Sequence, residues 1–218
     1  GGSINTADDL VITTGQLDNR DGSIVSAKAL NASVTGLNQQ GGQLTSKTAL
    51  TLDLNHGQLN NQGGLISAQT DLNITSSGAI NSTEKNAQAA QIYSGAHLNL
   101  QSTGIDNTGS QILAVQAAGI NLASGTLTNQ AGLIRVGQAL TVQAGSIDNQ
   151  NTRALNSDGS AQALGLEAST ISVTAAKLDN GQGAVRAGQD LTILSDGQLI
   201  NAHGELSAGK QLKIATNQ

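Results

Sequence analysis

Four aspartates, Asp18, Asp106, Asp148 and Asp179, each follow an apolar residue in a recurring Leu/Ile-Asp-Asn string. Clustered carboxylates are the machinery of glycosidic cleavage, one acting as acid and the other as base or nucleophile. If copies of the string stack, Thr128 separates Asp106 from Asp148, and close pairing is confined to Asp148 and Asp179. A turn-favouring polar side chain that bonds its own backbone accounts for the same residues. His56, His97 and His203 fall in different copies, with no partner at ligand spacing. Gly181-Gln182-Gly183 lacks a phosphate-loop Lys and opens no helix. The Gly-Gly-Ser-Ile and Gly-Gly-Gln-Leu strings lack the Asp of a calcium-binding glycine nonapeptide. The sequons at Asn31, Asn73 and Asn81 are expected by chance in so Asn-rich a chain. The expectation is a non-enzyme, with no catalytic, cofactor-binding or metal-ligating residues.

Composition narrows the architecture that must position any site. The 218 residues carry net charge −5 and include no Pro, Cys, Met, Trp or Phe, and one Tyr. Only 11% are charged, against about 25% in ordinary domains. A core built without large aromatics must be narrow everywhere, one aliphatic side chain deep from each wall. Without Cys there are no disulfides and no thiolate chemistry. Mild acidity without a basic cluster argues against nucleic acid and anionic membranes, and no apolar run is long enough for membrane insertion. A Gly-Gly start without Met reads as a fragment of something longer.

The elements follow from a repeat of roughly twenty residues. Its first anchors are Leu17, Leu37, Leu59, Ile80, Ile105, Leu127, Ile147, Leu178 and Leu199. A second anchor follows after seven residues in all but two copies (Ile24, Leu44, Ile66, Ile112, Ile134, Val185, Leu206), and the exceptions are Ile92 and Leu164. The third series is Leu30, Leu50, Leu72, Leu98, Ile120, Leu140, Ile171, Leu191 and Leu212. Around the anchors, alternation has period two, as in Leu50-x-Leu52-x-Leu54, so each piece is a strand with one face inward. Three short strands per turn in three parallel sheets predict an all-β, right-handed parallel β-helix of about ten turns, roughly 45 Å long. The chain reads as one repeat domain, 1–218, a piece of a longer filament. Recurrent Asn19, Asn61, Asn107, Asn129, Asn149, Asn180 and Asn201 are predicted to cap turns or stack as an amide ladder. Gly22, Gly42, Gly64, Gly132, Gly183 and Gly204 are predicted to supply positive φ at corners.

The string Leu-Asp-Asn-x-x-Gly-x-Ile-x-Ser-x-x-x-Leu-x-Leu resembles the haemagglutinin repeats of filamentous haemagglutinin and related two-partner secretion exoproteins. Similar repeats form the stalks of contact-dependent growth-inhibition toxins. The resemblance covers essentially the whole chain. It implies a secreted or cell-surface bacterial filament, linked to cell adhesion and virulence, and translocated unfolded through an outer-membrane transporter that contacts a region outside this fragment. It does not choose between adhesin and toxin stalk.

Two insertions interrupt the period, near 82–90 and 150–162, at the same corner and three turns apart. They carry Glu84, Lys85, Arg153 and Asp158 in a charge-poor rod. Between them the outward residues of the second-anchor strands run Tyr93, Leu113, Arg135, Gly165, with Leu133 beside them. Tyr93, Leu113, Leu133 and Arg135 therefore form a candidate partner-binding face holding two exposed leucines, one aromatic and one guanidinium. The leading functional reading is a rigid stalk that presents a distal adhesive or toxic domain. The alternative is a binding module whose loop-flanked face contacts a receptor on a host or neighbouring bacterial cell, and a polysaccharide-acting enzyme comes last.

Overall fold

The computed structural model describes residues 1–160 and 162–216. Among these residues the chain forms twenty-six strands and no helix. Strands pair in parallel from one end, where Ile4 lies beside Ile24, to the other, where Leu191 lies beside Leu212. The predicted β-solenoid of about ten turns is therefore present. Each turn visits three faces. The first is a ten-stranded sheet running from Ser3–Thr6 to Glu205–Ala208. The other two begin with Leu10–Thr13 and Gln16–Asp18.

The expected three sheets are two in hydrogen-bonding terms. Ala139–Asp148, Thr170–Asp179 and Asp190–Ile200 run unbroken across the corner between the second and third faces. These long strands merge both faces into one sixteen-stranded sheet. At that corner in earlier turns, Asn55 and Ala123 take a left-handed backbone, with φ of 50° each, which interrupts pairing. Positive φ accompanies the break only in those two turns: the strands also stop between Thr13 and Gln16 and between Gln101 and Gly104 without it, and the three late crossings contain none either.

The inward rows are aliphatic throughout: Leu50, Leu52, Leu54, Ile66, Ile92, Ile134 and Val173 are fully buried. Small inward residues bring the walls together at the corner after the first face. There Ser26 Oγ donates to the carbonyls of Asp8 and Ala29, at 2.8 and 2.9 Å. Ser94 repeats the arrangement with Thr70 and His97, at 2.8 and 2.7 Å. A buried hydroxyl thus satisfies carbonyls that the corner would otherwise strand.

Two anchors move. Ala118, not Ile120, occupies the third-anchor slot, paired with Leu98 and Leu140, while Ile120 lies beside Leu100 and Val142. Leu166, not Leu164, is the second anchor after the long insertion, in register with Ile134 and Val185. Each slip is two residues, which keeps the same side of the strand inward and leaves the alternation unchanged.

The corner glycines also need a different explanation. Positive φ falls on the residue before them, as at Asp21, Gly41, Gly63, Ala131, Gln182 and His203. Gly42 and Gly183 are required by close approach instead. A Cβ on them would come 2.1 and 2.2 Å from the carbonyl oxygens of Asn19 and Asn149, in the neighbouring turns.

The asparagines do stack. Asn107 Nδ2 donates to Asn129 Oδ1 at 2.7 Å, and Asn129, Asn149 and Asn180 continue the series to Asn201 at 2.8, 2.7 and 2.7 Å. Gln39 and Ser82 stand in for Asn beside Asn19 and Asn61, accepting at 2.8 and 3.1 Å. Apart from Asn201 these side chains are buried, so a one-sided polar seam runs beside the aliphatic core.

Candidate binding face between two insertions

The first insertion, between the strands Ile80–Asn81 and Gln91–Ser94, folds as a small hairpin. Lys85 and Gln88 exchange backbone hydrogen bonds at 2.9 and 3.0 Å around Asn86 and Ala87, whose φ values are 53° and 63°. The hairpin's neighbours in the adjoining turns include Gly63 and Gly109, both with positive φ, at 60° and 64°. A Cβ at Gly63 would meet Lys85 Cβ at 3.0 Å, and one at Gly109 would meet Glu84 at 3.4 Å.

The second insertion leaves the strand ending at Asp148 and returns at Gly165. Ala161, within it, falls outside the described residues. Arg153 donates to the carbonyl of His203 at 3.2 Å, tying the loop to the last corner. Further out, Asp158 accepts from the hydroxyl and the amide of Ser160, and those bonds hold its carboxyl below the usual range. Leu155 is 64% exposed on this loop.

Two hydroxyls absent from the sequence reading accommodate the insertions. Ser110 and Thr152 occupy the corner position filled by glycine elsewhere. Ser110 Oγ accepts from the Ala90 amide at 3.0 Å, and Thr152 Oγ1 from the Ala184 amide at 2.9 Å. The available signal was a hydroxyl where the repeat expects Gly.

On the first face, Tyr93, Leu113 and Arg135 are consecutive cross-strand neighbours, as expected. The next residue in their row is Glu167, not Gly165, because the insertion is two residues longer than its apparent anchor implied. Leu133 sits in the adjoining row between Gln111 and Gly165 and is buried at 4% exposure, so it is not an exposed leucine. Tyr93 and Leu113 are half-buried and Arg135 is exposed. Leu65, in register with Gln91, adds a half-buried aliphatic that the sequence reading passed over.

Arg135 is not free. Its guanidinium contacts Glu167 at 2.7 Å, Arg186 contacts Glu167 at 3.4 Å and Glu205 at 3.1 Å. Four charges of alternating sign thus climb successive strands beside the apolar patch. Tyr93 and Leu113 are cross-strand neighbours on this face, Leu65 stands in the adjoining row two strands from Leu113, and paired charge bounds them on one side.

The aspartates behave as turn caps. Asp106, Asp148 and Asp179 each accept the amide two residues on, at 3.0–3.1 Å, as does Asp18. The Arg20 guanidinium clasps Asp18 and holds its carboxyl below the ordinary value. Asp148 and Asp179 are in register, yet each has its own partner, Gln130 at 2.6 Å and Lys177 at 3.8 Å. His97 faces Asp71 at 3.0 Å, which lowers the Asp71 pKa. Among the described residues no three His, Cys, Asp or Glu side chains are grouped to hold a metal ion. No helix there is long and apolar enough to cross a membrane.

No curated protein and no solved structure matches the chain. The haemagglutinin repeat family model matches it over residues 1–53, 51–84, 80–131, 113–202 and 168–218. These matches span the stacked turns, their Asn seam and both insertions, and the family is one of structural and adhesive repeats. The chain belongs to the haemagglutinin repeat family.

Proposed function

We propose that this chain is a rigid segment of a large secreted or surface-exposed bacterial exoprotein, presenting a distal adhesive or toxic domain. The observation that supports it best is register: parallel pairing continues from Ile4 to Leu206 on the first face while both insertions are confined to one corner. A rod built this way keeps its direction however its corner loops vary. In this reading the parent crosses the outer membrane through a two-partner transporter that engages a region elsewhere. The test is excision of one whole turn, Ile24–Gln43, from the full-length parent. A spacer keeps the activity of the distal domain, with the reach shortened by about 5 Å. Loss of that activity from a correctly folded, exported variant would sink the spacer reading.

The second reading is a binding module for a receptor on a host or neighbouring bacterial cell. It is favoured by the half-buried Tyr93 and Leu113 and by Arg135, all lying between the two insertions. A rigid aromatic and a guanidinium that lose water together fit an interaction hot spot. Purified fragment should then attach to target cells, and Tyr93→Ala with Arg135→Ala should abolish attachment at little cost in melting temperature. Failure of the unaltered fragment to attach to any cell type leaves the spacer alone standing.

A further inference from the structure

Seven ladder asparagines recur at the third-face corner, and their following residues are Arg20, Gln62, Thr108, Gln130, Gln150, Gly181 and Ala202. Only Asn180 precedes a glycine. That dipeptide has a distinct chemistry. In a mobile chain the deprotonated Gly181 amide nitrogen can attack Asn180 Cγ, forming a C–N bond while Nδ2 leaves as ammonia. The five-membered succinimide then takes up water and opens to aspartate or to isoaspartate. Glycine favours the step because no Cβ crowds the attacking nitrogen and the backbone reaches the required angles freely.

In the folded solenoid both reacting groups are held. Asn180 is fully buried, and its Oδ1 accepts from Asn149 Nδ2 at 2.7 Å. Its Nδ2 donates to Asn201 Oδ1 at 2.7 Å and to the carbonyls of Glu205 and Gly183 at 3.1 and 3.3 Å. The Gly181 amide, the would-be nucleophile, donates to Asp179 Oδ1 at 3.1 Å. A carboxylate beside that N–H opposes its deprotonation.

We propose that Asn180-Gly181 is a deamidation site of the unfolded chain that folding switches off, and that once modified the chain cannot rebuild this turn. After deamidation, three carbonyl-type acceptors face a buried carboxylate where they had faced an amide donor, an arrangement without compensation. The isoaspartyl product also lengthens the backbone by one atom ahead of the Val185 anchor.

The experiment ages the protein at neutral pH, folded in buffer and unfolded in guanidinium chloride. It reads the one-dalton mass gain and isoaspartate at Asn180, with Asn149-Gln150 as internal standard. The expected result is conversion at least tenfold faster when unfolded, and a lowered melting temperature or failed refolding of the converted chains. Gly181→Ala supplies the control. Its Cβ would meet only the Asp179 carboxylate closely, at 3.3 Å, a side-chain end that can shift by a few tenths of an ångström, so the variant is expected to fold and, after the same ageing, to refold like its own fresh protein. Equal conversion in both states, full recovery of converted chains, or equal damage to Gly181→Ala would each overturn the proposal.

Discussion

Asn61 Oδ1 and Asn107 Oδ1 are buried and accept no hydrogen bond among the described residues. Both lie beside a ladder position that carries something other than Asn, Gln39 in one case and Ser82 in the other. Gln39 Nε2 turns to the Leu65 carbonyl at 3.4 Å instead of meeting Asn61. Ser82 accepts from Asn61 but leaves Asn107 without a donor. Ser82→Asn should bridge the two, with a gain of about 1 kcal/mol in denaturant unfolding. No gain would mean that the corner at the first insertion cannot admit an amide. The opposite sign is expected at Ile134, fully buried at mid-rod. Ile134→Asp places an unpaired carboxylate between stacked turns and should cost several kcal/mol. Gln16→Ala, at an exposed position, should stay within about 0.5 kcal/mol. Equal losses at the two sites would contradict the inward and outward phase.

Removal of the first insertion is expected to leave the strands it joins in place. Ile92 is in register with Ile66 and Ile112, so the hairpin adds chain at the corner without shifting the face. Deleting Glu84–Gln88 restores the seven-residue step from Ile80 to Ile92, and Ala90→Gly then supplies the residue that the tight corner needs. The shortened protein should melt within a few degrees of the parent, read by circular dichroism at 218 nm (roughly the β-sheet minimum). Strand existence and phase were legible because Leu and Ile recur at period two. Register at two places was not. Ala118 is a faint signal beside Ile120, and Leu164 and Leu166 satisfy the same alternation, so only the pairing partner decides between them. That slip placed Gly165 in the row of Arg135 and hid Glu167, and with it the ion-pair ladder. The corner glycines were recognised, but close approach to the next turn is a property of stacking that a single turn does not display.

At the scale of the whole rod, protection is uneven. Interior anchors are fully buried, while Ile4, Leu212 and Ile214 at the two ends are 46%, 46% and 42% exposed. Turns contact only their neighbours, so stability is a sum of turn and interface terms, with the outermost turns weakest. Amide hydrogen exchange should be fastest in Ser3–Thr13 and Glu205–Thr216 and slowest from Leu50 to Val142. Uniform exchange would indicate one all-or-none unit instead of a stack. Removing Ser3–Thr13 should lower stability modestly and expose the next turn as the new fraying edge.

The hydrogen bonds between turns lie along the axis of the rod, which decides how it responds to tension. Pulling the chain ends apart along that axis loads the bonds of the outermost strand one after another, as in opening a zip. All the bonds of a sheet are never sheared together. The rod should therefore yield by peeling single turns at low force, each regular turn releasing about 70 Å of extended chain. The turns from Ile66 to Ile92 and from Ile134 to Leu166 hold more residues and should release about 90 and 110 Å. Two long steps among short ones would mark the insertions in a single-molecule trace, and would make this segment a shock absorber that lengthens in instalments before it fails.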